Sequence, residues 1–281
     1  MSTRVEVIKA AAKRLNDAGI EHADEDARLL MQHALGLDRT QFFLSQHEAM
    51  TPDQRVSFEA VLVRRERREP VSQILGSVGF WTLDLTVTAD VLTPRADSET
   101  LVDTALKSVV NREAPLNILD IATGSGALAL ALLSELPKAE AVATDISAPA
   151  LEIARLNAGQ TGLDARIRFV ETSWAEGIEG AFDLLVSNPP YIATDVIASL
   201  DPEVREFEPR LALDGGVDGL APYPGLLETA RRLLVPGGVA VFEIGYDQGE
   251  KVLDLARSAH AKADLFKDLA GQDRVVRVSF D

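Results

Sequence analysis

Apolar positions change their spacing twice along the chain, and the changes divide it into three parts. From residue 4 to residue 68 they recur at helix spacing. Val5, Ile8, Ala12 and Leu15 share one face until Gly19 stops the run. Asp24-Glu25-Asp26 opens a second run, with acids at the end where unpaired amides favour them. Leu29, Leu30, His33 and Ala34 continue it, and Gly36 closes it. A third start is written in Thr51-Pro52-Asp53-Gln54. Thr51 caps, Pro52 fits the first helical position and Gln54 closes the capping box. That helix carries Val56, Ala60, Leu62 and Val63 towards Arg68, and Glu69-Pro70 breaks it.

Between Val71 and Leu92 the period falls to two. Trp81, Leu83, Leu85 and Val87 alternate with polar partners, which predicts a strand from Phe80 to Val87 with one covered face, after turns at Gly76 and Gly79. This stretch is expected to be a β-hairpin linker over residues 73–93. It joins a helical domain, residues 1–72, to a larger domain, residues 94–281.

In the larger domain short apolar runs alternate with helical ones. Strands are expected over 116–120, 139–144, 167–170, 182–186 and 238–244. Helices are expected over 127–136, 148–157, 226–234 and 248–258. Residues 274–280 make a final edge strand, paired antiparallel. The order is that of a doubly wound α/β sheet, mostly parallel and buried on both faces, whose ligands sit outside the carboxyl ends of its strands.

Composition narrows the chemistry. The 281 residues are 46% hydrophobic, enough for a real core, and contain no Cys, which removes disulfides and thiolate sites. The four His (His22, His33, His47 and His260) lack any ligand-like spacing, so no metal is expected. The opening Met1-Ser-Thr-Arg-Val-Glu is mixed polar, and no apolar stretch approaches membrane-spanning length, so neither an export leader nor a membrane partner is expected. A net charge of -16 disfavours nonspecific nucleic-acid binding; it suits a basic protein partner over naked DNA, and equally suits solubility alone. The local cluster Arg64-Arg65-Glu66-Arg67-Arg68 reads as a solvated helix end.

Two segments carry chemistry. Asp120-Ile-Ala-Thr-Gly-Ser-Gly126 joins a predicted strand to a predicted helix, and its small residues let backbone approach a cofactor. Asp145 ends the next strand, where a carboxylate can accept both ribose hydroxyls. NAD would satisfy these two features as well. Downstream, the strand Phe182–Val186 runs into Ser187 and then Asn188-Pro189-Pro190-Tyr191. There the Asn188 oxygen can accept one N–H of a planar nitrogen and the Pro189 carbonyl the other, while Tyr191 covers the flat face. An amide nitrogen is a poor nucleophile, so alignment with an electrophilic methyl group is a major catalytic term. This corner favours S-adenosylmethionine over NAD. An adenine amino group fits it equally well, which leaves nucleic-acid and side-chain-amide methylation both open.

The remaining blocks decide between them by resemblance. Arg68-Glu-Pro70, Ile74-Leu-Gly76, Phe80-Trp81, Pro94-Arg95-Ala96-Asp97-Ser-Glu99, the Asn188–Tyr191 corner, Glu208-Pro209, Asp218-Gly219-Leu220, Glu243-Ile-Gly245 with Gln248, and Asp268 with Gly271 and Arg274 occur in shared order over essentially the whole chain. In these blocks the chain resembles the HemK/PrmC family of S-adenosylmethionine-dependent methyltransferases. The family modifies the glutamine of the Gly-Gly-Gln motif in bacterial peptide-chain release factors. The resemblance implies a Rossmann-like methyltransferase domain with a seven-stranded sheet, preceded by a small helical domain that helps grip the release factor. It implies a cytoplasmic monomer, without metal, that converts S-adenosylmethionine to S-adenosylhomocysteine. The catalytic corner is Asn188, Pro189, Pro190 and Tyr191. The cofactor side takes Asp120, Ala122, Thr123, Gly124, Gly126, Asp145, Ile146, Ser173 and Trp174, with Asn188 at its border. The substrate side takes Arg95, Glu99 and Glu208 with Asn188, Pro189 and Tyr191. A related glutamine methyltransferase that acts on a large-subunit ribosomal protein shares the corner but differs in the entrance block. Adenine methylation would call for a basic groove.

Three departures from the family pattern stand out. Ala122 replaces a common glycine, harmless if that backbone does not need positive φ. Ala96 replaces a proline and loosens the entrance block. Ser173 stands where many relatives carry an acid near the adenine, beside Trp174, whose ring can stack or pack. Arg95 and Glu99 are expected to pair with each other and order the entrance.

Overall fold

The computed structural model describes residues 2–280, which fall into two compact units. One takes the chain up to Ser77 together with Asp201–Phe207; the other takes Val78–Leu200 and Glu208 onward.

The first unit is helical. Helices α1 (Arg4–Asp17), α3 (Arg39–Ser45) and α4 (Pro52–Glu66) each begin with a complete capping box, from Thr3/Glu6, Asp38/Gln41 and Thr51/Gln54. Helix α2 (Ala23–Leu35) ends at Gly36 with φ 62°, a left-handed cap that glycine adopts without strain. Leu15, Leu30, Met31, Met50 and Leu62 are each at most 1% exposed, and every such side chain removed from water contributes about 1.5–3 kcal/mol. Val71–Leu75 forms a short helix, α5, where the sequence pattern predicts the hairpin region to begin. The arginine cluster is only in part a solvated helix end: Arg64 and Arg67 are exposed, but Arg65 and Arg68 are not. Arg65 is buried, with Nε 2.6 Å from Asp26 and Nη1 2.9 Å from Glu203, while Arg68 reaches Glu203 at 2.6 Å. Arg64 pairs with Glu69.

The second unit opens with a two-stranded hairpin, β1 (Ser77–Phe80) and β2 (Leu83–Thr86). The turn lies at Trp81-Thr82, inside the single strand expected there, and Gly79 lies within β1. Trp81 adopts φ 57°, a conformation that the alternating pattern cannot reveal. Helix α6 (Glu99–Ser108), not foreseen, buries Leu101, Val102, Ala105 and Leu106. There follow β3 (Asn117–Ile121), α7 (Ala127–Glu135), β4 (Glu140–Asp145), α8 (Ala148–Thr161), β5 (Ile167–Glu171) and β6 (Phe182–Ser187). After α9 (Pro202–Arg205), which belongs to the first unit, come α10 (Pro222–Leu233), β7 (Leu234–Glu243), α11 (Gly249–Ser258), β8 (Lys262–Lys267) and β9 (Asp273–Ser279).

The sheet order is β5-β4-β3-β6-β7-β9-β8, parallel from β5 through β7 and antiparallel across β9. Strand β9 is therefore not the edge. It lies between β7 and the unpredicted β8, whose Lys262-Ala-Asp-Leu-Phe-Lys267 carries the charges that keep an open edge from pairing further. Along β3, Ile118 joins the core packed against α6 and α7, while Leu119 joins the core against α10 and α11. That alternation explains why the central strands read as unbroken apolar runs. The chain leaves β3 in one direction and β6 in the other, so the crevice at their carboxyl ends is the switch point where doubly wound sheets bind ligands.

Candidate active site

The loop after β3 is built from the carboxylate beneath it. Asp120 is fully buried; its Oδ2 accepts from the Thr123 hydroxyl at 2.6 Å and from Ala129 N–H at 3.3 Å. Burial pushes its carboxyl up to about 7, against the pull of those two bonds. Asp120 thus shapes the loop from below. The backbone then passes through positive φ at Ala122 (59°), Gly124 (55°) and Gly126 (84°). The condition for a harmless Ala122 is not met: this alanine holds the left-handed conformation that favours glycine. Asp145, at the end of β4, accepts from Gly124 N–H and from Ser147 N–H, both at 2.9 Å. Ser147, not Asp145, caps α8.

These elements wall a cleft of about 1130 Å³, part of it open to solvent. Ala122, Thr123, Gly124, Asp145 and Ile146 line one side, with Ser173 and Trp174 next to them. Asn188 and Pro190 line the other. Asp120 and Gly126 lie behind the lining, and a Cβ on Gly126 would press on Ala154 and Leu130 at 3.3 Å. Trp174 is 40% exposed at φ 54°, its carbonyl held by the Thr144 hydroxyl at 2.6 Å. Phe80, Leu92, Pro94, Ser98 and Leu128, to which the sequence assigned no site role, also line the cleft. A switch-point location was the available signal for the loop residues, and for Phe80 the only signal was its place in the Phe80-Trp81 block.

The corner after β6 is held from several directions. Asn188 Nδ2 donates to Ser98 Oγ at 3.3 Å, while Asn188 Oδ1 is buried with no partner among the described residues. Tyr191 turns away from the cleft, and its hydroxyl donates to Glu243 Oε1 at 3.1 Å. Burial beside that carboxylate raises the phenol further above its ordinary range. The Tyr191 carbonyl accepts from Gln248 Nε2 at 2.9 Å. Two glycines press on the same backbone: a Cβ on Gly215 would fall 2.7 Å from the Pro190 carbonyl, and one on Gly219 would collide with the Tyr191 carbonyl.

The entrance block differs from expectation. Arg95 Nη2 pairs with Glu208 Oε2 at 2.8 Å, not with Glu99. Glu99 Oε1 instead accepts from the Trp81 backbone N–H at 2.8 Å. Glu208 is buried, which raises its carboxyl despite Arg95. Neither Arg95, Glu99, Glu208 nor Pro189 lines the cleft itself.

A loop of left-handed backbone, a carboxylate at the end of the adjacent strand and an unpaired buried acceptor on Asn188 of the same cleft fit a nucleoside cofactor beside a planar N–H donor. Among the described residues no cluster of His, Cys, Asp or Glu suits a metal, and no helix is long and apolar enough to cross a membrane.

Comparison with known proteins agrees in scope. Residues 6–76 match the model of the PrmC N-terminal domain, and residues 97–200 that of the methyltransferase small domain. A release factor glutamine methyltransferase of Agrobacterium fabrum is 46% identical, over 95% of this chain and 94% of its own. One from Caulobacter vibrioides is 45% identical, over 98% and 95%. A methyltransferase structure from Pyrococcus furiosus shares the fold, with a TM-score of 0.51 and 19% identity over 78% of this chain and 96% of that one.

Proposed function

Because the chain belongs to the release factor glutamine methyltransferase family, we propose that it methylates the side-chain amide nitrogen (N5) of the glutamine in the Gly-Gly-Gln motif of bacterial peptide-chain release factors, with S-adenosylmethionine as donor. The observation that carries this reading is the Asn188 Oδ1 atom, buried in the cleft wall and lacking a partner among the described residues. A buried acceptor without a donor costs about 1–3 kcal/mol, a cost offset when a ligand N–H arrives.

The cofactor supplies an electrophilic methyl group. Asp145 would hold its ribose, since each carboxylate oxygen keeps a lone pair beyond its backbone bond. Ala122, Thr123, Gly124 and Ile146 would hold the rest of the nucleoside side, with Ser173 and Trp174 at the base. Asn188 Oδ1 and the Pro189 carbonyl would accept the two N–H groups of the target amide and fix its nitrogen in line. The proton leaves after the nitrogen has become cationic, so no strong base is needed beforehand. Arg95, held by Glu208, would meet the substrate on its approach. Asp145→Ala is expected to weaken cofactor binding about tenfold in calorimetry, leaving turnover at saturation less affected.

The reading carries with it a monomeric cytoplasmic enzyme. Its partner is the release factor, gripped in part by the helical unit, rather than a nucleic acid or a membrane. The test is transfer of labelled methyl from S-adenosylmethionine to unmethylated release factor, with a Gly-Gly-Ala version alongside. Label on the first alone supports the reading; label on neither, with cofactor bound, overturns it.

A further inference from the structure

Side chains hold three successive residues of the loop after β3. Asp120 accepts from the Thr123 hydroxyl at 2.6 Å, and Asp145 from the Gly124 N–H at 2.9 Å. The next residue, Ser125, is held through its carbonyl, which accepts from Asn157 Nδ2 at 2.9 Å. Asn157 lies on α8, fully buried behind the lining of the cleft. The rest of its amide is spent on the end of β2. There Oδ1 accepts from the Thr86 N–H at 2.7 Å, and Nδ2 donates to the Thr86 carbonyl at 3.1 Å.

An asparagine amide offers two N–H donors and one oxygen, and here two carbonyls and one N–H meet them. Turned over, its NH2 would face the Thr86 N–H and its oxygen two carbonyls, so the partners fix its sense as well as its place. The hold is applied where the backbone is freest. Ser125 lies between Gly124 and Gly126, at φ 55° and 84°, and glycine lets those angles change at little cost. The Gly126 N–H donates to the Thr123 carbonyl at 2.9 Å, so the peptide between Ser125 and Gly126 is pinned at both ends. Release of the Ser125 end frees that peptide to rotate, and Thr123, Gly124 and Ser125 all line the cofactor side of the cleft.

We infer that Asn157 is a positioning residue for the cofactor: supported by Thr86 of the hairpin, it holds the Ser125 carbonyl and keeps the loop in the shape that S-adenosylmethionine binds. The inference rests on the cofactor reading above. It assigns Asn157 a role in cofactor affinity rather than in transfer or partner binding.

The test is calorimetry with S-adenosylmethionine, and methyl transfer to release factor, in wild type, N157D, N157A and Q160A. Cofactor binding by wild type checks the cofactor reading by itself, before any variant is compared. N157D keeps the shape and the acceptor for the Thr86 N–H, but sets an oxygen against two carbonyls. Gln160 is exposed on the same helix and accepts from the Thr86 hydroxyl at 3.0 Å, so Q160A loosens the hairpin without releasing Ser125. N157D and N157A are expected to raise the cofactor Kd about tenfold, with KM for release factor and kcat at saturating cofactor within about twofold of wild type. Q160A should leave all three within about twofold. A wild-type cofactor Kd in either folded Asn157 variant, or an equal rise in Q160A, would overturn the inference. Hydrogen exchange in wild type decides the matter should neither Asn157 variant fold. Coupling between loop and hairpin is reciprocal, so saturating S-adenosylmethionine should slow exchange of the Thr86 N–H about tenfold more than that of the other β2 amides. Equal slowing along β2, or none, would overturn it as well.

Discussion

The helical unit and the cleft of the sheet unit both bury aspartates, and they treat them differently. Asp26 meets a guanidinium at 2.6 Å, and the same Arg65 continues to Glu203. Asp120 meets a hydroxyl and one N–H, its Oδ1 has no partner among the described residues, and burial holds its proton up to about pH 7. Asn188 Oδ1 in the cleft wall is likewise left without a donor. Charge in the helical unit is matched within the fold; at the cleft and behind its lining, buried acceptors are left without donors among the described residues.

The most damaging way to break this contrast is Asp26→Ala. It leaves Arg65 buried with one carboxylate fewer and should cost about 3 kcal/mol. Both tryptophans, Trp81 and Trp174, lie in the other unit. In denaturant unfolding, fluorescence therefore reads the sheet unit alone, while helical circular dichroism reads both, so the helical unit's transition is the part of the dichroism change that fluorescence does not share. A loss below about 1 kcal/mol in the helical signal would mean that the pair is no anchor. Asn188→Ala should do the opposite, leaving stability nearly intact and lowering kcat about a hundredfold. Full turnover at saturating substrate would end the positioning account.

Asp120→Asn sharpens the comparison through pH. The folded carboxyl keeps its proton to about 7, against an ordinary value of 3.8. Its contribution to stability is therefore complete below about 3.8 and lost as pH rises through 7. The wild type should lose stability across that window relative to the variant, measured as the difference in unfolding free energy at the two ends. Parallel pH curves would show that Asp120 is ionised throughout. Ala122→Gly is the smallest change. Relief of a left-handed alanine, less the added freedom of the unfolded chain, should stabilise by roughly 0.5–1 kcal/mol in the fluorescence transition.

What could be read from the sequence follows from how local its causes are. The glycine loop and the Asn-Pro-Pro-Tyr corner announce themselves because their constraints lie in consecutive residues. The capping boxes at Thr3 and Thr51 are equally local, although only the second was singled out. Partners across the fold leave no such trace. Arg95 was matched with the acid four residues away, while its true partner, Glu208, lies 113 residues on. Ser98 was passed over because its meaning comes from Asn188, 90 residues distant. Strand β8 escaped because an edge strand protected by lysines does not look apolar, and Ala122 because a sequence does not display φ.

The tight seat of the corner against Gly215 and Gly219 has a consequence for genetics. Neither glycine lines the cleft, yet any side chain there would displace the backbone at Pro190 or Tyr191. In a saturation-mutagenesis screen scored by methylation, both should prove as intolerant as Asn188, and a map of intolerance alone would count them among the reacting residues. Cofactor titration separates the classes. Bulky replacements at Gly215 or Gly219 distort a wall of the pocket and disturb binding, whereas Asn188→Ala keeps the wall and loses only the chemistry.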